Sequence, residues 1–199
     1  MTKFMRCSPY SLIQLLKKRI KDAIPLPEEI ELTDRLRVGM KLADLKFEDE
    51  VLDLGCSYGY LESLVLSEMC HSVIGVDIDK EAIRLAKRKC KGFSNTHFIV
   101  VDIEKGLPFR SEIFKKVLFL DVLEHLKDDE TILKEINRVL KKNGVLIISV
   151  PHKYWHPMRI LDSLLNVRER EYNLADLKSK LERSGFLKSI ISLVEGQEV

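Results

Sequence analysis

The sequence predicts an α/β fold: an open, mainly parallel sheet, doubly wound, with helices on both faces. Three observations predict it. From residue 47 onward, short apolar runs of strand character alternate with amphipathic helical stretches. The runs lack the in–out alternation of a half-exposed strand, as expected of strands covered on both sides. The first run also ends in a glycine-bearing turn that leads directly into a helical stretch. Parallel sheets keep their ligand sites at such strand-to-helix junctions.

Val51–Leu54 is the first strand, followed by the glycine turn and a helical stretch whose Leu61, Leu64, Val65 and Met69 share a face. Ser72–Val76 is the second strand. Lys80–Cys90 then has Ile83, Ala86 and Cys90 at helical spacing. His97–Val101, β-branched and aromatic, is the third strand, and Lys116–Leu120 the fourth. Asp128–Leu140 starts with acids and runs into Lys141–Lys142, the charge order a helix dipole favours, with Ile132, Ile136, Val139 and Leu140 inward. Asn143–Gly144 is expected to stop that helix. Val145–Val150, the most hydrophobic strand, is closed by Pro151. Asn173 is an N-cap for a helix running to Ser184, with Gly185 as its stop. Leu187–Leu193 is a last strand candidate. Residues 47–199 thus read as one domain, preceded by a helical arm over residues 1–46 and interrupted by an insertion over 151–172.

At 199 residues the chain suits one domain with a full core. A content of 45% hydrophobic and 32% charged residues is that of an ordinary globular protein. The net charge of +2 excludes a molecule built as a whole to coat nucleic acid. Basic character is local: Lys3, Arg6, Lys17, Lys18, Arg19 and Lys21 occur with no acid among them. Cys7, Cys56, Cys70 and Cys90 form no CxxC pair and no zinc spacing, so they read as reduced thiols, with no metal site. No apolar run approaches the roughly 18 residues that span a bilayer, and Lys and Arg interrupt any signal-peptide core. The expected location is cytoplasmic.

The stretch Val51-Leu52-Asp53-Leu54-Gly55-Cys56-Ser57-Tyr58-Gly59-Tyr60 lets a ligand approach the backbone closely at the sheet's ligand edge. Dinucleotide enzymes use a similar turn, and Asp53 discriminates between the two. A carboxylate there repels a pyrophosphate but suits a ligand carrying a sulfonium and an α-ammonium group. The Gly55-xxx-Gly59 spacing also departs from G-x-G-x-x-G. Asp77 lies 22 residues past Gly55, near the roughly 20-residue offset at which an acid reaches ribose hydroxyls. Asp102, after Val100-Val101, is placed either to accept from an adenine amino group or merely to cap a turn; in this series the adenine role is favoured.

These residues resemble class I S-adenosylmethionine-dependent methyltransferases, in particular the broad small-molecule group that includes ubiquinone and menaquinone biosynthesis methyltransferases. The resemblance covers roughly residues 48–150, and more loosely extends to Phe186, in the blocks VLDLGCSYGY, VIGVDID, VVDIEKGLPF, VLFLDVLEHLKD and LKKNGVLIISVP. It implies a Rossmann-like sheet and S-adenosylmethionine as cofactor. It also implies contacts from Asp53, Gly55, Cys56, Ser57 and Gly59 to the methionine part. Asp77 and Ile78 would serve the ribose and adenine, Asp102 and Ile103 the adenine, and Leu120, Asp121 and Val122 would pass close to the sulfonium. Two departures stand out. Tyr60 replaces the usual third glycine, and the chain leaves little room after Leu193 for the usual seventh strand. A trimmed sheet would expose an edge for the N-terminal arm or a partner to cover, and a homodimer is compatible with that.

Methyl transfer from a sulfonium is an in-line displacement, so much of its catalysis is positioning. Where the acceptor is a weak acid a base helps, and His125 in Asp121-Val122-Leu123-Glu124-His125 is the candidate. The alternative is that His125 and Glu124 are structural. The insertion Pro151-His152-Lys153-Tyr154-Trp155-His156-Pro157 is a natural wall or lid for the acceptor, making Glu124, His152, Tyr154, Trp155 and His156 substrate candidates. In the arm, Leu12, Leu16, Ile20 and Ile24 recur every four residues, which favours packing or capping over docking on RNA or lipid. The expected function is methyl transfer to a small-molecule hydroxyl, amine or carbon. The alternatives are an RNA methyltransferase using the basic arm, a non-catalytic cofactor-binding regulator, and a nicotinamide oxidoreductase, which Asp53 and the glycine spacing disfavour.

Overall fold

A computed structural model describes residues 41–59, 62–150 and 172–186, with the side chains of residues 62–65 excepted. Five strands form one sheet: β1 (Glu50–Leu54), β2 (Ser72–Asp77), β3 (Thr96–Val100), β4 (Phe114–Leu120) and β5 (Leu140–Ser149). All four pairings are parallel and the order is β3-β2-β1-β4-β5. The chain therefore winds outward on one side of β1, then crosses to the other side to lay down β4. That reversal opens a crevice beyond the carboxyl ends of β1 and β4.

Side-chain alternation splits the core in two. Val51, Val73, Leu118 and Ile147 point to one face of the sheet, where Leu66 of α1 (Glu62–Met69) and Cys70 join them. Leu52, Leu54, Val117 and Phe119 point to the other, beneath α3 (Asp129–Val139) and α4 (Leu174–Arg183). With both faces covered, β1 buries Val51 through Leu54 without a break.

The helices start and stop where their ends are satisfied. Asp79 caps α2 (Lys80–Lys89) by accepting from the Glu81 and Ala82 amides, and Lys87, Arg88 and Lys89 occupy its last turn. Asp128 caps α3 through the Thr131 amide, and Asn173 caps α4 through the Asp176 amide. Gly185, at φ +94°, ends α4: its amide donates to Glu182 O at 3.0 Å and the Phe186 amide to Leu181 O at 3.0 Å. Both α4 boundaries are those expected from Asn173 and Gly185.

One boundary differs by more than two residues. Lys141–Gly144 does not end a helix but lies within β5, whose Leu140 pairs with Phe114 before the register jumps to Val145 opposite Lys116. The extra residues bulge outward, with Asn143 at φ +60° and its carbonyl accepting from Lys115 Nζ at 3.1 Å. Asn143–Gly144 does interrupt regular structure, but as the tip of a bulge. Among the described residues no helix is long and apolar enough to cross a membrane. Cys56, Cys70 and Cys90 are free, buried thiols.

Candidate active site

The chain leaves β1 through Gly55, at φ +77°. The amides of Gly55 and Cys56 both donate to Val76 O, at 2.8 and 3.0 Å, which ties the turn to the end of β2. A Cβ on Gly55 would sit 2.4 Å from Val122 Cγ2, so only glycine lets this turn lie against the loop that follows β4. Ser57 and Gly59 are also left-handed, at φ +47° and +59°. The Cys56 side chain is buried and packs beside Gly75, so Cys56 faces the crevice through its backbone.

Two amides hold the Asp77 carboxylate at the end of β2: Ser57 N donates to Oδ2 at 2.8 Å and Asp79 N to Oδ1 at 2.9 Å. Each oxygen keeps lone-pair capacity for a further donor. Ile78, beside it, is 65% exposed. Asp53, by contrast, is only 3% exposed. The sequence reads it as an open pocket carboxylate, and the fold instead encloses it.

Asp102 caps a turn, the second of its two readings. The turn is the single 3-10 turn Ile103–Lys105, where Asp102 accepts from Glu104 N at 3.2 Å and pairs with Lys105 Nζ at 2.8 Å. The Lys105 hydrogen bond is the main reason its carboxyl titrates below the usual range. Capping leaves an anionic carboxylate at the end of β3, able to accept from a further donor. The Ile103 side chain is buried in the core, which leaves only its backbone to meet a ligand.

Beyond β4, Asp121 adopts φ +52° and is exposed. Its amide donates to Ser149 O and Oγ, both at 3.1 Å, and Ser149 Oγ donates back to its Oδ1 at 3.0 Å. Leu120 and Val122 are partly buried on either side. Leu123–His125 forms one 3-10 turn that separates the two substrate-side candidates: Glu124 is buried, His125 exposed. Sequence reasoning missed three residues at this edge. Besides Ser149, Glu104 Oε1 accepts from Lys127 N at 2.7 Å. Tyr172 is the third: its hydroxyl donates to Asp129 Oδ2 at 2.9 Å, and Lys180 Nζ ion-pairs with the same carboxylate at 2.8 Å. Their partners are far away in sequence, so no local pattern announces them. His152, Tyr154, Trp155, His156 and Tyr60 lie outside the described residues, as do most of the 1–46 arm, most of the 151–172 insertion and the Leu187–Leu193 strand candidate.

The glycine cradle fits S-adenosylmethionine, as do the amide-held carboxylate on β2 and the exposed aliphatic beside it: a close backbone approach, an acceptor for ribose hydroxyls and an apolar surface for a purine. Sheet order and crevice together define a class I, Rossmann-like methyltransferase domain. Residues 45–191 match the methyltransferase domain family, and the chain belongs to it. S-adenosylmethionine is the cofactor that this family implies.

A protein of Mycolicibacterium smegmatis named as a probable S-adenosylmethionine-dependent methyltransferase is 32% identical over 143 residues, covering 69% of this chain and 51% of its own length. The ubiquinone biosynthesis O-methyltransferase of Pelagibacter ubique is 31% identical over 107 residues, 52% of this chain and 42% of that one. Among solved structures, the YcgJ protein of Bacillus subtilis superposes with a TM-score of 0.65 at 25% identity, over 76% of this chain and 67% of that chain. The chain spans about half the length of the curated relatives it matches.

Proposed function

We propose that this protein transfers a methyl group from S-adenosylmethionine to a small-molecule acceptor, at a hydroxyl, amine or carbon. The observation that carries the reading is the Gly55 turn at the β1/β4 reversal, laid against Val122 and linked through Ser57 to the Asp77 carboxylate. Asp77 would take the ribose hydroxyls, Ile78 the adenine face, and Asp102 with the Ile103 backbone the adenine edge. Gly55, Ser57, Gly59 and the Cys56 backbone would hold the methionine part, with Asp53 lending a negative field. Leu120, Asp121 and Val122 would border the reacting end. When bound, the cofactor supplies an electrophilic methyl on a cationic sulfur.

His125, exposed on its turn, is the group this chain offers to remove a proton from a weakly acidic acceptor. In the same reading, the 151–172 insertion, most of which lies outside the described residues, would wall the acceptor. The free, buried thiols of Cys56, Cys70 and Cys90 support a reducing compartment, which this reading takes to be the cytoplasm.

Calorimetry with S-adenosylmethionine and with NAD tests the cofactor: binding of the first alone is expected, and binding of NAD alone would overturn the reading. Incubation with methyl-labelled cofactor and a cell extract then tests the acceptor. Label in metabolites supports a small molecule; label confined to RNA replaces that acceptor class. His125→Ala is expected to lower turnover with cofactor affinity retained, and full activity in that variant removes the base role.

A further inference from the structure

We infer that Glu104 is a positioning residue for the turn that carries His125, tying that turn to the loop assigned to the adenine. This deepens the methyltransferase reading and rests on it. Glu104 sits in the middle of the turn Ile103–Lys105, just past β3. Its own amide donates to Asp102 Oδ1 at 3.2 Å, so its place is set by the acid assigned to the adenine. Its carboxylate reaches across to the next loop, where Oε1 accepts from the Lys127 amide at 2.7 Å. A charged acceptor at that distance makes one of the stronger hydrogen bonds a protein forms.

Lys127 follows His125 by two residues and immediately precedes Asp128, the cap of α3. The bond therefore pins the chain where the His125 turn hands over to a rigid helix. The turn is closed by His125 N donating to Val122 O at 3.1 Å and Leu126 N to Leu123 O at 3.2 Å, and the Tyr172 hydroxyl donates to Leu123 O at 3.5 Å from the side of α4. These bonds do not fix where the turn lies relative to β3. Below the surface, Ile103 and Leu123 belong to one core cluster, so the two turns share a floor. Movement of the adenine loop is thus carried through one carboxylate to the peptide on which His125 rides. That matters because displacing a reacting group by about 1 Å costs on the order of 100-fold in rate.

A plain loop staple would make the same contact. It differs in one observable: only with a positioning link does the response of His125 to the bound ligand depend on Glu104. The probe is S-adenosylhomocysteine, which has no methyl to transfer, titrated into the labelled full chain while the His125 imidazole resonances are followed by NMR. In the unaltered protein the His125 signals are expected to move on saturation. Glu104→Ala is expected to bind the probe within about threefold of the unaltered affinity yet lose most of that movement. Glu104→Gln, which keeps a carbonyl acceptor, is expected to restore it.

Lys127→Pro removes the donor and leaves Glu104 intact. Leu126 already has φ −88° and ψ 148°, the conformation that a residue before proline requires. It is expected to reproduce Glu104→Ala and carries the test alone should that variant fail to fold. Full His125 movement in both variants would overturn the inference, as would an unaltered protein that binds the probe with His125 still. Failure of the unaltered protein to bind at all would strike the cofactor reading itself, and this inference with it.

Discussion

Gly55→Ala probes the closest approach in the site. The added methyl meets Val122 Cγ2 at 2.4 Å, more than an ångström inside the roughly 3.5–4.0 Å optimum for carbon pairs. Relief requires the turn or the loop after β4 to retreat, and overpacking of this kind costs about 1–3 kcal/mol. The backbone adds a separate penalty, since φ +77° is left-handed and a Cβ there costs about 1–2 kcal/mol. The sum, about 2–5 kcal/mol, corresponds to a fall in melting temperature on the order of 10 °C for a domain of this size. Thermal or urea unfolding reads the total, and calorimetry reads the accompanying loss of S-adenosylmethionine affinity as the cradle widens. The two contributions separate in a Val122→Ala background, where the steric part vanishes and only the backbone part remains. Unchanged stability in Gly55→Ala would refute the close-approach argument. So would an identical penalty in both backgrounds, since it would put the whole cost in the backbone.

Asp77→Ala is expected to weaken S-adenosylmethionine binding by about 1.5–3 kcal/mol, read by calorimetry, through loss of charge-assisted hydrogen bonds; unchanged affinity would remove Asp77 from the site. Lys180→Met leaves the buried Asp129 carboxylate without its cation and is expected to cost about 3 kcal/mol in urea unfolding. Loss under 1 kcal/mol, taken as about the worth of an exposed pair, would mean the pair behaves as a surface one. Glu135 supplies a pH signature: its hydrogen bond with Arg138 is the main cause that lowers its carboxyl from 4.5 to about 2. A depressed folded-state value means its contribution is fully present above pH 4.5 and drains away as pH falls toward 2. The stability gap between the unaltered chain and Glu135→Gln should therefore close across that window, and a gap independent of pH would contradict the assignment.

The parts of the fold written in short stretches were legible. Strand–helix alternation, the acidic helix start at Asp128, the Asn173 cap and the Gly185 stop each depend on residues within a turn of one another. What the sequence hid was long-range or conformational. The start of β5 at Leu140 depends on pairing with Phe114, while Lys141–Gly144 carries the polar, glycine-ended pattern of a helix stop. Asp53 reads as a pocket carboxylate, but strands on either side and helices over both faces enclose β1 and bury it. Glu124 and His125 are adjacent letters that a 3-10 turn sends to opposite environments. Arg138 donates to the carbonyls of Leu107 and Phe109, about thirty residues back along the chain, and so holds the loop before β4.

The strand order also constrains how the chain is born. Synthesis delivers β1, β2 and β3 first, and these can pair among themselves, but β1 then waits with one flank open until two further segments have emerged. That flank becomes the middle of the finished sheet, where Val51 through Leu54 are buried, so the nascent chain holds an unpaired strand edge open until β4 arrives. Parallel pairing across such sequence distances is slow. Recovery of folded protein should therefore respond to translation speed and holding chaperones more than to the final stability of the domain.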